Sequence, residues 1–193
     1  MLMTAMMVAL AIGDVPGEST HTPKRDEAVF GGGCFWCVAA VYERIDGVLA
    51  VEAGYAGGTK KNPTYEQVCT GQSGHAEVIK ITFDSTKIRY RQLVDLFWEA
   101  HDPTTINRQG ADVGTQYRSI IMYHSDGQHQ EALASKAAAQ KDFKDPLVTA
   151  IEPLTVFYPA EKYHQDYYTR NAEAPYCRYV IEPKLKKLGL ERK

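Results

Sequence analysis

The chain has 193 residues, of which 44% are hydrophobic and 24% charged, proportions that are ordinary for a soluble globular protein. This length suits one domain with a full core, and a net charge of −2 gives no basic footprint for nucleic acid. No apolar run is long enough to span a bilayer, and four cysteines are too few for a disulfide scaffold.

The N-terminal residues differ in character from the rest of the chain. Residues 1–12 are apolar but have no Lys or Arg before them, which fits a disordered leader or the remnant of a signal segment. Residues 13–25 are polar and rich in turn formers, so the folded domain is expected to start near Glu27. We therefore predict a leader over residues 1–26 and a single domain over 27–193. The expected location is cytoplasmic, or periplasmic or secreted if the leader is a signal segment.

The first predicted elements are a strand, a sharp turn and a helix. The short apolar strand over residues 28–30 ends at three glycines, which accept positive φ cheaply. Residues 35–44 hold no Gly or Pro and place apolar side chains at helical spacing. Cys34 is therefore expected at a helix N-terminus, where free N–H groups and the helix dipole favour a thiolate. Cys37 follows one turn later on the same face.

Strands and helices then alternate along the chain. The pattern predicts strands over residues 47–55 and 75–83 and, between them, a helical turn over 63–69. Next come an amphipathic helix over residues 89–101, a strand over 116–123, and an alanine-rich helix from an N-cap at Ser125 to Pro146. A strand over residues 150–157, which Pro153 moves toward a sheet edge, and a helical tail over 177–188 complete the series. This mixture predicts an α+β fold with one sheet covered by helices.

Cys34 is the candidate nucleophile. One alternative is a buried structural cysteine. Another is half of a zinc knuckle, although Cys34 and Cys37 have no second Cys-x-x-Cys or matching His pair. Phe35 and Trp36 fit either an apolar slot beside the thiol or ordinary core packing.

A second cluster contains an acid. Glu77 follows two glycines at a strand start, and its apolar neighbours favour a protonated carboxyl, which a general acid requires. A solvated glutamate at a strand edge is the alternative. The loop-like segment 107–117 contains Asp112 and Tyr117, which together with Tyr65 are candidate hydrogen-bonding groups.

Several ordered motifs carry a resemblance to a known family. They are GCFW (33–36), GYAGG (54–58), NPTY (62–65), VCTG (68–71), GHAE (74–77), HDP (101–103) and GTQYRS (114–119). With these motifs, residues 29–188 resemble the A-type peptide methionine sulfoxide reductases. The resemblance implies an α+β two-layer sandwich, with a ferredoxin-like, mixed or antiparallel sheet core covered by helices.

The resemblance also implies roles for the candidate residues. Cys34 would attack the sulfur of the S epimer of methionine sulfoxide, and Glu77 would protonate the sulfoxide oxygen. Tyr65 and Tyr117 would hydrogen-bond that oxygen, while Asp112 would organise the site around a water. The methyl group of the substrate would lie against the two aromatic residues after the nucleophile, Phe35 and Trp36.

Recycling would complete the reaction. The sulfenic acid left on Cys34 would condense with a second thiol, and thioredoxin would reduce the resulting disulfide. Many relatives have glycine in place of Cys37 and resolve with cysteines of a glycine-rich tail. In this chain the tail around Cys177 is not glycine-rich and its pattern predicts helix, so Cys37 is the expected resolver and Cys177 the alternative. Cys69 is expected to pack in the core.

The implied substrates are oxidised proteins or free methionine S-sulfoxide. The enzyme is expected to be a monomer with no cofactor or metal and with no nucleic-acid or membrane partner. Two other functions compete. A general thiol-disulfide oxidoreductase would use Cys34 and Cys37 but would not need Glu77 or the loop around Asp112. A non-catalytic zinc-binding or adaptor module would bind stoichiometric metal.

Overall fold

The computed structural model describes residues 22–191 and shows an α+β fold with a curled, six-stranded mixed sheet. Of the leader predicted for residues 1–26, residues 1–21 lie outside the described part of the chain. The strands are β1 (Arg25–Gly31), β2 (Val48–Ala56), β3 (Ala76–Asp84), β4 (Arg108–Gln109), β5 (Asp112–Val113), β6 (Ile120–Tyr123), β7 (Ala150–Pro153) and β8 (Phe157–Pro159). Strands β4 and β5 pair as a separate hairpin.

The main sheet has the order β7-β6-β1-β3-β2-β8. Strand β1 lies antiparallel between β6 and β3, and β2 and β8 continue the antiparallel pairing, whereas β6 and β7 are parallel. Because β1 and β3 run in opposite directions, the end of β1 lies beside the start of β3. This pairing brings the segment that follows Gly31 next to Glu77, more than forty residues later in the chain.

Helices pack on this sheet around one main core. They are α1 (Phe35–Tyr42), α2 (Tyr65–Cys69), α3 (Tyr90–Ala100), α4 (Asp126–Ala139), α5 (Tyr167–Arg170) and α6 (Glu182–Lys187). Phe30 of β1 contacts the rings of Tyr42 and Phe97, with centroids 5.7 and 5.2 Å away. All residues of α1 except Trp36 are buried, so the helix that carries Cys37 is a core helix. Among the described residues, no helix has the length and apolar character needed to cross a bilayer.

The predicted elements are present, with several ends corrected. The first helix ends at Tyr42, and the strand expected over residues 116–123 starts at Ile120, because Thr115–Tyr117 forms a 3₁₀ turn. The single strand expected over residues 150–157 is two strands, β7 and β8, at opposite edges of the sheet. Pro153 ends β7 at that edge, as predicted, because proline has no N–H to give to a ladder.

The two later helices also follow the sequence in outline. The Ser125 hydroxyl caps α4 by accepting from the Gln128 N–H at 3.3 Å, as predicted, but α4 ends at Ala139 and a 3₁₀ turn follows. The tail is helical, yet Cys177–Ile181 forms a π-helix before α6. Pro183 lacks the N–H that would bond to the carbonyl four residues back, so the turn before it widens.

Candidate active site

The site is built on the turn between β1 and α1. Gly33 has φ +92°, and a Cβ at this position would lie 2.6 Å from Gln109 Cβ, so both conformation and space require glycine. Cys34 occupies the N-cap position of α1, and its carbonyl accepts the N–H groups of Cys37 at 3.0 Å and Val38 at 3.4 Å. The predicted place of Cys34 at a helix N-terminus is confirmed, and its side chain is buried.

The acid candidate lies at this same helix end. Glu77 is 1% exposed, and its Oε2 accepts the Phe35 N–H at 3.1 Å. Burial raises the pKa of Glu77 to about 8 against the opposing effect of that hydrogen bond, and the charges of Asp112 and Cys37 add to the rise. The carboxyl is thus neutral near pH 7. The alternative of a solvated glutamate at a strand edge does not fit this position.

The two thiols of Cys34 and Cys37 form one coupled pair. Burial raises the pKa of Cys34 well above its ordinary value, whereas a hydrogen bond from Cys34 lowers the pKa of Cys37 to about 7. The charge of Lys184 supports the ionised form of Cys37. The helix end does not act on Cys34 alone, because the first-turn N–H of Phe35 is bonded to Glu77 and the Cys34 sulfur is buried. Of the two thiols, Cys37 is the one whose ionised form the surroundings favour.

The aromatic residues after the nucleophile have different surroundings. Phe35 is buried and packs on the His164 ring at a centroid distance of 4.9 Å. Trp36 is half-buried, stacks on Tyr167 at 3.6 Å, and donates its indole N–H to His164 Nδ1 at 3.2 Å. Phe35 therefore packs in the core, whereas Trp36 is partly exposed.

The two predicted phenols lie within electrostatic range of the acid. Burial raises the pKa of Tyr117, and the charges of Glu77, Asp112 and Cys34 raise it further. Burial, a hydrogen bond with Cys69 and the charge of Glu77 likewise raise the pKa of Tyr65. The predicted site residues therefore lie in one neighbourhood: Cys34, Tyr65, Glu77, Asp112 and Tyr117.

Three further residues complete the surroundings of the site and were not predicted as site residues. Tyr176 donates its hydroxyl to Asp112 Oδ2 at 2.8 Å and lies 3.5 Å from Cys37 Sγ. Glu161 accepts the Tyr65 N–H at 2.9 Å. His164 is 2% exposed and bonds to the Trp36 indole described above. One signal was available for Tyr176, because it directly precedes the alternative resolver in the sequence.

The other two cysteines occupy opposite environments. Cys69 is exposed, so its expected core position is wrong: α2 has only five residues, and of these only Val68 is buried. Cys177 is fully buried at the start of the π-helix. All four cysteines are free thiols. Within residues 22–191, no group of three or more His, Cys, Asp or Glu side chains is placed to hold a metal ion.

Comparison with known proteins identifies the family. The family model described as peptide methionine sulfoxide reductase matches residues 26–193. The chain belongs to the peptide methionine sulfoxide reductases. A relative from Nautilia profundicola, named peptide methionine sulfoxide reductase MsrA, is 54% identical over 83% of this chain and 92% of its own length. The chain is therefore an oxidoreductase that reduces methionine sulfoxide.

Solved structures of this family agree with the fold. The reduced form of Mxr1 from Saccharomyces cerevisiae superposes with a TM-score of 0.76 at 36% identity, covering 80% of this chain and 90% of that one. Mxr1 in complex with Trx2 has a TM-score of 0.55 at 27% identity, covering 75% of this chain and 88% of that one.

Proposed function

We propose that this site reduces the S epimer of methionine sulfoxide, free or in proteins, with Cys34 as nucleophile and Glu77 as general acid. The observation that carries the proposal is the buried Glu77 carboxyl bonded to the backbone of Phe35, the residue after Cys34. A sulfoxide sulfur is a poor electrophile until its oxygen is protonated. A protonated acid beside an ionisable thiol is the pairing that this reaction needs.

In the first half-reaction, Cys34 gives its proton to the Cys37 sulfur and attacks the sulfoxide sulfur. Glu77 donates its proton to the sulfoxide oxygen, which the Tyr65 and Tyr117 hydroxyls hold. The oxygen is transferred to Cys34, so methionine leaves reduced and Cys34 is oxidised to a sulfenic acid. The contact between the two thiols supports the first proton transfer, because it favours the ionised form of Cys37.

Three other side chains bind and orient the substrate in this proposal. Phe35 and Trp36 enclose the methyl group, and the stack on Tyr167 holds the Trp36 ring in position. Asp112 organises the polar side of the site around a water, and its bond to the Tyr176 hydroxyl supports a fixed position there.

We propose Cys37 as the resolving cysteine. Its hydrogen-bonding contact with Cys34 supports this role, because disulfide formation then requires only local movement. The alternative, Cys177, is enclosed at the start of the π-helix. Thioredoxin is the proposed reductant of the Cys34–Cys37 disulfide, supported by the complex of yeast Mxr1 with Trx2.

The expected substrate and product can be tested together. Each epimer of methionine sulfoxide is incubated with the protein, once with dithiothreitol and once without, and methionine and free thiols are then counted. We expect turnover of the S epimer only, and the loss of two thiols for each methionine formed without reductant. Equal rates on both epimers would contradict the proposal. Faster reduction of insulin disulfides than of sulfoxide would favour a thiol-disulfide oxidoreductase, and stoichiometric zinc a metal-binding module.

We further propose a monomeric, cytoplasmic enzyme with a ferredoxin-like sheet core. The order β6-β1-β3-β2, with α1 after β1 and α3 after β3, supports the ferredoxin-like description of the four inner strands. The monomeric state is the expectation from the sequence. Four free thiols, one of them exposed, fit a reducing compartment. Sedimentation of the purified protein and fractionation of cells test the last two points.

A further inference from the structure

A line of polar contacts leads from the two thiols toward the surface. Cys37 Sγ lies 3.5 Å from the Tyr176 hydroxyl oxygen, and that hydroxyl donates to Asp112 Oδ2 at 2.8 Å. A phenol has one proton to donate, so while it is bonded to Asp112 its oxygen can accept the thiol proton of Cys37. Cys37 is buried, whereas Asp112 is partly exposed. The line therefore connects a buried thiol with a carboxylate that reaches solvent.

The resolving step needs such an exit for a proton. In the proposed first half-reaction, the proton of Cys34 passes to Cys37, so Cys37 is a thiol when the sulfenic acid forms. Because the thiolate and not the thiol is the nucleophile, Cys37 must lose this proton to attack Cys34. The group placed to accept this proton is Tyr176, because its hydroxyl contacts Cys37 Sγ, whereas the Glu77 carboxyl is bonded to the Phe35 N–H.

We propose that Tyr176 is a catalytic residue of the resolving step and passes the thiol proton of Cys37 toward Asp112 while Cys37 attacks Cys34. The inference rests on the proposed role of Cys37 as the resolver. The proton of Cys37 moves to the Tyr176 oxygen as the phenol proton moves to Asp112 Oδ2, so the phenol is neutral before and after the transfer.

The step is balanced in atoms and electrons. The S–H bond of Cys37 and the S–O bond of the sulfenic acid on Cys34 break, and one S–S bond forms. The sulfur of Cys37 is oxidised and that of Cys34 is reduced, both to the disulfide level. The leaving oxygen takes a proton from Glu77, which has been reprotonated after the first half-reaction, and departs as water. Asp112 then releases its proton to solvent.

The surroundings of Tyr176 suit this transfer. Its ring packs edge-on against Trp36, with centroids 5.8 Å apart, and the next residue, Cys177, is fully buried at the start of the π-helix. Burial raises the pKa of Tyr176 well above its ordinary value, and the charges of Cys34 and Cys37 raise it further. The phenol is thus held in one place and transmits the proton without remaining ionised.

The experiment compares Tyr176→Phe with Tyr179→Phe in single turnovers without reductant. Methionine, free thiols and sulfenic acid trapped by dimedone are measured over time with the S epimer. In Tyr176→Phe we expect the rate of thiol loss relative to methionine formation to fall at least about tenfold, with a trapped sulfenic acid. Thiol loss should also become faster as pH rises, because Cys37 must then ionise beforehand. Tyr179 is 78% exposed, so its variant should match the wild type.

A wild-type ratio of the two rates in Tyr176→Phe, with unchanged pH dependence, would overturn the relay. If Tyr176→Phe does not fold, Asp112→Asn provides the second test, because asparagine accepts the phenol proton in a hydrogen bond but is not a base. It should lower the same ratio, and a wild-type ratio in the folded variant would overturn the relay as well. Failure of the premises is distinguishable: a wild type that forms no methionine contradicts the proposed function. A Cys37→Ser variant that still loses two thiols contradicts the resolver and with it the relay.

Discussion

The backbone N–H of Phe35 donates to Glu77 Oε2 at 3.1 Å across 42 positions of sequence. This bond ties the general acid to the first turn of the helix that follows the nucleophile. It also stabilises the carboxylate that remains after Glu77 has given up its proton. The bond to Phe35 therefore keeps the Glu77 carboxyl in the same position before and after it gives up its proton.

Glu77→Gln should abolish most sulfoxide reduction, because the amide keeps the hydrogen bond to Phe35 but has no proton to donate. A loss of about 10²-fold or more in the rate of methionine formation is expected. Single-turnover assays with the S epimer measure it, and Glu66→Gln, an exposed position on α2, is the matched control. Retention of the wild-type rate by Glu77→Gln would remove the acid from the mechanism.

The first half-reaction should show a bell-shaped pH profile. The thiol pair must be ionised, and the hydrogen bond from Cys34 lowers the pKa of Cys37 to about 7, so the rate rises through that pH. The acid must be protonated, and burial raises the pKa of Glu77 to about 8, so the rate falls above it. Rapid-quench measurements between pH 5 and 10 should show both limbs. A profile that keeps rising above pH 9 would contradict the acid role.

The same buried acid should make stability depend on pH. Glu77 has its pKa raised by burial from 4.5 to about 8, so between these values the folded protein binds more protons than the unfolded chain. The free energy of unfolding should therefore fall as pH rises through this range, with a slope of at most about 1.4 kcal/mol per pH unit from this group. Urea unfolding at several pH values tests this, and Glu77→Gln should have a smaller slope than Glu66→Gln.

Cys37→Ser should separate the two half-reactions. Methionine should form once and more slowly, because the acceptor of the Cys34 proton is missing, with the loss of one thiol. Turnover with thioredoxin should stop, because the second sulfur of the disulfide is missing. Cys69→Ser is the control, since that exposed thiol should not enter the cycle. Continued turnover of Cys37→Ser with thioredoxin, together with its loss in Cys177→Ser, would assign resolution to the tail.

Glu161 should act as a positioning residue for Tyr65. Its carboxylate accepts the Tyr65 N–H at 2.9 Å and the Tyr55 hydroxyl at 2.8 Å, which fixes the start of α2. Glu161→Ala should reduce the unfolding free energy by about 1–3 kcal/mol and lower kcat through displacement of the phenol. Glu161→Gln should restore part of both, because it keeps one acceptor. Equal kcat values for the two variants would leave Glu161 a purely structural role.

Gly33→Ala should damage both stability and activity. The added methyl meets Gln109 at 2.6 Å and the backbone has φ +92°, whereas Gly189 has φ +68° with no atom within 4 Å of a Cβ. Gly189→Ala should therefore cost only about 1 kcal/mol of unfolding free energy, and Gly33→Ala distinctly more. Chemical denaturation and methionine formation compare the two variants. Equal losses of unfolding free energy in the two variants would show that Gln109 moves away from the added methyl without destabilising the fold.

Local pattern and the resemblance predicted the helix N-terminus at Cys34 and the desolvated Glu77, because glycines and apolar neighbours mark both in the sequence. Which of the two thiols has the lower pKa was not predictable from the sequence, since it depends on burial and on Lys184, far along the chain. Tyr176 reaches Asp112 from 64 positions away, and no local signal gives that distance. The sequence therefore predicted the features of the turn around Cys34 but not the contact between Tyr176 and Asp112, which depends on tertiary packing.

The antiparallel pairing of β1 and β3 has a consequence for engineering. The pairing of these strands, with Ala28 opposite Ile81 and Phe30 opposite Ile79, places Glu77 beside the turn that carries Cys34. A slip of two residues would carry Glu77 about 7 Å away. Extra residues inserted between 58 and 62 leave that ladder intact. Such insertions should therefore preserve the strand pairing that places Glu77 at the end of β1.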